Sequence, residues 1–319
     1  MQATGSHDQI RDVNIRYHDV AAAGYDAKWN VDFGDTGRTQ VLSKVTKLLD
    51  PIPDGGFENA LEIGAGTGYF GLNLVGSGLI GELACTDISA GMVDALEANV
   101  SSLGLKNVST TRAEAESLPF DDGSFDLVLG HAVLHHLPDL DRAFAEFRRV
   151  LAPGGRILFA GEPSRTGDRL ARVPKRAALT MAPLWRRALR AQAATPWPST
   201  STYSEDADES ELAEPSGHEL EGEVDVHAFR PSDLSRVAHD GGFTDVTVRG
   251  EELTANWFGW FNRGLEASAC ADDVPMWWRQ YAFHGYLWLQ KLDALALEPR
   301  LPPAVFYNLL LTARRPVGV

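Results

Sequence analysis

The chain has little cysteine: Cys85 and Cys270 are the only two in 319 residues. A disulfide framework is therefore excluded, no cysteine spacing suits zinc, and no metal is expected. No apolar run is long enough to span a bilayer, and the first 42 residues lack the basic start and apolar stretch of a secretory leader. The expectation is a cytoplasmic protein without an integral membrane segment. Positive charge is also scarce. The formal balance is −15, which argues against nucleic acid as the main partner, because phosphate backbones need a basic face. The deficit is local: ten Asp or Glu fall between Glu205 and Asp225, where no Lys or Arg occurs. Internal repeats are absent.

What remains suits one α/β core carrying insertions, with 44% apolar residues available for burial. Short apolar runs at 61–63, 83–86, 108–112, 125–129 and 156–160 read as strands, and 244–249 and 306–313 as two more. Between them, helical spacing marks 69–75, 91–103, 140–151 and 231–238, with Ser89 as an N-cap and Pro153-Gly154-Gly155 as a helix stop. Ahead of the core, 10–20 and 41–49 read as short helices. Strands alternating with helices predict βαβ units and a parallel sheet.

Two stretches break this rhythm. Residues 165–190 hold eight Arg or Lys against one acid, Asp168, with an amphipathic piece at 177–189 interrupted at Pro183. This basic stretch could meet an anionic membrane or a charged substrate tail, but pairing with the acidic residues that follow is the preferred reading. Residues 195–223, polar and rich in Pro, Ser and acid, read as a mobile loop. The second stretch, 257–288, holds five of eight tryptophans. Trp277, Tyr281 and Trp288 share one helical stripe, which reads as a packing face for a cap. Trp257, Trp260, Trp278 and Tyr281 are candidates for lining a large apolar acceptor pocket.

The segment on which the chain turns is A-L-E-I-G-A-G-T-G-Y-F at 60–70. An apolar run, an acid and three alternating glycines describe a buried strand turning into a helix, with backbone amides free to face a ligand. The dinucleotide fingerprint would need a glycine where Tyr69 stands. The spacing is G-x-G-x-G instead, with Glu62 upstream. Further on come Asp87, 23 residues after Gly64, then F-D-L-V-L-G-H-A-V-L-H-H-L at 125–137 and R-V-L-A-P-G-G at 149–155.

These motifs, in this order, resemble class I S-adenosylmethionine-dependent methyltransferases, and within them the small-molecule group that includes quinone, sterol and natural-product enzymes. The resemblance covers 61–160. It implies a Rossmann-like, doubly wound, seven-stranded sheet, mostly parallel with an antiparallel last strand, plus helical cap insertions. The implied layout is an N-terminal helical lid (1–50), a cofactor-binding core (51–162), a cap insertion (163–228), and a C-terminal completion (229–319) with an aromatic insertion at 251–303.

For S-adenosylmethionine the resemblance implies Gly64, Gly66 and Gly68 at the methionine-side loop, Asp87 at the ribose and Glu114 with Ala115 at adenine, with Glu62, Ala65, Ile88 and Met92 as further cofactor-binding candidates. Tyr25 lies in a Tyr-Asp element expected over the cofactor, or else packs as an ordinary aromatic. His131 ends strand four and would face both cofactor and acceptor. His131 and Glu162 are the candidate general bases, and His135 a candidate pocket residue. His135 and His136 are adjacent and make a poor metal pair, so a structural role for at least one is expected. Methyl transfer needs mainly alignment and exclusion of water. The expected reaction is methylation of a small, aromatic or lipid-like acceptor. The alternatives are a regulatory protein of the same fold without turnover and a nicotinamide-dependent dehydrogenase. Oligomeric state is left open.

Overall fold

The computed structural model describes residues 7–22, 25–26, 31–194 and 227–318. The expected acidic loop at 195–223 falls outside the described residues. The chain divides into two compact units, one of Met1–Ser164, Ser216–Arg249 and Asn308–Val319, the other of Arg165–Pro215 and Gly250–Tyr307.

The first unit is built on a seven-stranded sheet of order β3-β2-β1-β4-β5-β7-β6. Its strands are β1 Phe57–Ile63, β2 Ile80–Asp87, β3 Val108–Arg112, β4 Phe125–His131, β5 Leu151–Pro163, β6 Thr244–Glu251 and β7 Asn308–Arg314. The neighbouring pairs from β3 to β5 are parallel, and β7 runs antiparallel to β5. This is the architecture expected from the sequence. Alternate strand residues serve opposite faces, as the two-residue period of a strand requires. Leu61, Val128, Ile157 and Phe159 meet Phe144 and Phe147 of α5 (Leu140–Val150), together with Leu234 and Ala238 of α7 (Pro231–Asp240). Ala60, Leu127, Leu129 and Leu158 face the other way, toward α2 (Asp35–Leu48), α3 (Tyr69–Gly76) and α4 (Ala90–Ser102). Both faces are thus covered, as a parallel sheet demands. Ser89 caps α4 as expected, its Oγ accepting the Met92 N–H at 3.1 Å. α1 spans His7–Ala21.

One boundary differs. The Pro153-Gly154-Gly155 segment belongs to β5 rather than ending the preceding helix, which stops at Val150. Between the pairs Phe125–Leu151 and Leu127–Arg156 the register slips, so the chain bulges there. The bulge is held from the last strand's end: Gly154 N–H donates to the Arg315 carbonyl, and Arg315 N–H to that of Gly155. Nearby Arg149 explains its own motif. Its guanidinium bonds Glu146, Asp122 and the carbonyls of Leu118 and Phe120, tying the loop before β4 to α5.

In the second unit, α6 (Arg165–Leu189) is one continuous helix, not one interrupted at Pro183, although both Pro174 and Pro183 lie inside it. Packing outweighs the lost N–H groups. Ala171, Pro174, Ala178 and Ala182 form a buried stripe of small residues. Against it α8 (Thr254–Glu266) comes so close that a Cβ on Gly264 would lie 2.7 Å from that of Ala178. Asp293, fully buried, accepts the N–H groups of Leu253, Thr254 and Ala255 and the Thr254 hydroxyl, supplying from elsewhere the cap that α8 lacks. No helix among the described residues is long and apolar enough to cross a membrane.

Asp293→Ala leaves those donors buried without a partner and is expected to cost the second unit at least about 2 kcal/mol. Chemical denaturation followed by tryptophan fluorescence measures this, and Asp293→Asn should recover part of the loss.

Candidate functional site

Strand order reverses between β1 and β4, and the carboxyl ends of the parallel strands meet at that edge. A doubly wound sheet takes its ligands there. The loop leaving β1 turns at Gly64, Gly66 and Gly68, which adopt φ of 58°, 53° and 94°. The three glycines do different work. A Cβ on Gly64 would lie 2.3 Å from Val133, and one on Gly68 2.6 Å from Leu72 and Leu96, so these two let the loop pack. A Cβ on Gly66 would meet nothing within 4 Å. Here glycine serves the left-handed backbone, and its open side is where a ligand can approach.

Acids hold this loop. Asp87, at the tip of β2, accepts the Gly66 N–H at 2.8 Å on one oxygen and the Ser89 N–H at 2.9 Å on the other. Burial pushes its carboxyl up, opposed by charge on His18 and by the backbone donors. Ile88 follows, half-buried, its carbonyl taken by Arg112. Ala65 donates its N–H to the Thr86 carbonyl, and Met92 is wholly buried. Burial raises the Tyr25 hydroxyl, and the charges of Tyr17 and Asp87 add to the effect. Glu62 lies beneath the loop, accepting the Gly71 N–H at 3.1 Å with Cys85 Sγ at 3.6 Å. It is 1% exposed, and burial pushes its carboxyl up to about 8.

Beyond β3, Glu114 accepts from Arg11 of α1 at 2.8 Å, and Ala115 is buried. The His131 ring sits 5.4 Å from Tyr69 and 5.5 Å from Phe70, centroid to centroid. Gly161, at φ 78°, makes room for it, since a Cβ there would lie 3.0 Å from Nε2.

Two expectations are corrected. Glu162 is not placed to act as a general base. It is 0% exposed and accepts the N–H groups of Val133, Leu134 and His135 as well as Nδ1 of His135. With four donors on two oxygens it anchors the turn after β4. His135 is likewise buried against Glu162 rather than lining a pocket. Of the remaining pocket candidates, all four lie in the second unit. Trp278 packs on Trp185, Trp277 and Tyr281, while Trp260 lies under Lys175 Nζ at 4.0 Å and Trp257 is half-buried in α8. The stripe expected to pack the cap is largely exposed at Trp277, Tyr281 and Trp288, with Tyr281 touching Phe258 of α8 and Trp278. No cluster able to hold a metal occurs among the described residues.

Helix α1 contributes residues the sequence did not single out. Besides Arg11 on Glu114, Asn14 donates toward the His136 carbonyl at 3.4 Å, and Asp19 accepts from Ser89 Oγ and the Gly91 N–H. α1 therefore reaches the loops after β2, β3 and β4. The available signal was the helical run of buried Ile10, Asn14 and Tyr17, where Asn14 is a polar residue on an otherwise apolar face.

Residues 61–159 match the family described as methyltransferase domain. The match runs from within β1 into β5 and so includes the glycine loop, Asp87 and Glu114. Among relatives, the chain is 37% identical over 152 residues to malonyl-[acyl-carrier protein] O-methyltransferase of Geobacter sulfurreducens, covering 47% of this chain and 52% of that one. It is 32% identical over 146 residues to the ubiquinone/menaquinone biosynthesis C-methyltransferase UbiE of Francisella tularensis, covering 44% and 56%. The chain thus spans about half the length of these curated relatives. Among solved structures, phosphoethanolamine N-methyltransferase 2 of Haemonchus contortus shares the fold at TM-score 0.57 and 18% identity, over 96% of this chain and 60% of that one. The [4+2]-cyclase SpnF shares it at TM-score 0.51 and 19% identity, over 88% and 82%.

Because folding raises the Glu62 pKa from 4.5 to about 8, the folded state holds the extra proton between those values. The stability contributed by this group is then full below about pH 4.5 and is lost as pH rises to about 8, by up to about 1.4 kcal/mol per pH unit. Glu62→Gln should flatten this decline. Denaturation midpoints of both proteins from mildly acidic to mildly alkaline pH measure it.

Proposed function

We propose that the protein is an S-adenosylmethionine-dependent methyltransferase acting on a small acceptor, aromatic or lipid-like in character. The observation that carries this reading is the pairing of Asp87 with the open turn at Gly66. A buried carboxylate at the end of β2 stands beside a backbone that leaves room for a ligand. A carboxylate offers about four lone-pair sites, so one held by the amides of Gly66, Ser89 and Ile88 keeps acceptor capacity and suits a ribose hydroxyl. The residues fit the group: Gly64–Gly68 would receive the methionine end, Asp87 the ribose, and Glu114 with the Ala115 amide the adenine. Tyr25 and His131 would close the two sides. The cofactor would supply a methyl group on a positively charged sulfur, an already activated leaving group.

The chain's own part is then to align the acceptor and exclude water, which can lower the barrier by roughly 7–11 kcal/mol. Where the acceptor must lose a proton, His131 is the remaining candidate base, since Glu162 and His135 are committed to the turn. An acceptor of lipid-like character is supported by the aromatic content of the second unit and by a relative named for ubiquinone/menaquinone biosynthesis. A protein of this fold without methyl transfer is the second reading, favoured by one observation: the fold is shared with a protein named as a [4+2]-cyclase.

Calorimetric titration tests the cofactor. S-adenosylmethionine should bind and NADH should not, and Asp87→Asn should weaken the former about 10- to 100-fold, the cost of a hydrogen bond to a charged group. Binding of NADH instead, or an unchanged affinity in a folded Asp87→Asn, would overturn the assignment. A substrate screen for methylated product distinguishes turnover from binding alone.

A further inference from the structure

The second unit, taken by itself, leaves apolar side chains in water on two helices. On α6, Val173, Leu179, Met181 and Leu184 are exposed, Leu184 to 72%. On α9 (Met276–Leu292), which buries none of its residues, Met276, Trp277, Tyr281, Trp288 and Leu292 are exposed, Trp288 to 64%. A single exposed leucine is ordinary, whereas rows repeated along two helices of one unit mark an interaction surface.

Charge identifies the partner. Eight Arg or Lys fall at 165–190 in a chain of net charge −15, and the one acid among them, Asp168, lies 3.7 Å from Lys175. Arg165, Arg169, Arg172, Arg176, Arg187 and Arg190 are all exposed. At about 100° per residue Arg165, Arg169, Arg172, Arg176 and Arg187 fall in one sector of α6, flanked by Leu179 on one side and by Val173 and Leu184 on the other, away from the alanine stripe that packs on α8. Helix α9 carries Arg279 and Lys291 and no acid. A second copy would set arginine row against arginine row and is disfavoured. Apolar and aromatic side chains beside a cationic row suit a surface that is anionic outside and apolar beneath.

We propose that α6 and α9 dock the protein on an anionic lipid bilayer, with the arginines at the headgroups and the neighbouring leucines and tryptophans in the interfacial layer. The proposal stands apart from the cofactor assignment, because vesicle binding requires neither S-adenosylmethionine nor turnover. It gives the basic row an external partner in place of the chain's own acidic residues.

The full chain is floated with vesicles of phosphatidylcholine alone or mixed with phosphatidylglycerol. Partition into the mixed vesicles should exceed that into neutral ones by about ten-fold or more and fall at high salt. Replacing Arg169, Arg172 and Arg176 together by Gln should lower it on the order of 100-fold, and Leu179→Ser with Leu184→Ser by more than about ten-fold. Circular dichroism and thermal midpoints establish that each variant is folded. Equal partition into both vesicles, or none into either, overturns the proposal. So does a concentration-dependent dimer, broken by Trp288→Ser, in a protein that ignores vesicles.

Discussion

Irregular backbone at a sheet edge carries amides that no ladder satisfies, and burying them unpaired is costly. In this protein carboxylates meet that demand. Asp87 takes the amides of Gly66 and Ser89, Glu62 takes that of Gly71, and Glu162 takes three in succession after β4. Asp293 does the same for the first turn of α8 in the second unit. The glycine loop can keep its left-handed turns and its open side because these acids fix it from below and beside.

The acids are not equivalent, and burial separates them. Glu162 spends its oxygens on four protein donors and Glu62 is sealed beneath α3, so both are confined to support. Asp87 takes backbone amides alone, those of Gly66, Ser89 and Ile88, and lies beside the turn whose open side is at Gly66. What separates these acids is the space beside them: Glu162 and Glu62 are enclosed by protein, whereas Asp87 adjoins the open side of Gly66. Residue type and spacing are alike in both.

That is why the sequence was legible in some places and opaque in others. The strands carry apolar runs with a two-residue period, Ser89 sits where a cap must, and the G-x-G-x-G spacing needs a tight turn, so the sheet and its loop could be read directly. Local pattern did not reveal that α6 would continue through Pro174 and Pro183, because the compensation comes from α8, some 80 residues away. Nor could it say that the Trp277–Tyr281–Trp288 stripe faces outward, since an apolar row at helical spacing looks the same buried or exposed. Glu162 near the end of β5 and His135 in the turn after β4 face each other rather than an open site.

Helix α1 shows the same economy from the opposite side. Arg11 on Glu114, Asn14 at the His136 carbonyl and Asp19 on the cap of α4 join one helix to the ends of three strands. Each contact is polar and partly exposed, and ion pairs of that kind contribute little stability. The buried face of Ile10, Asn14 and Tyr17 is correspondingly small. A segment so held opens locally at far lower cost than the sheet does. Under the proposed reading the acid that would meet adenine is the one Arg11 already holds, so cofactor entry and the seating of α1 draw on the same carboxylate. The helix is then coupled to occupancy through Glu114, without any contact between α1 and the acceptor being required.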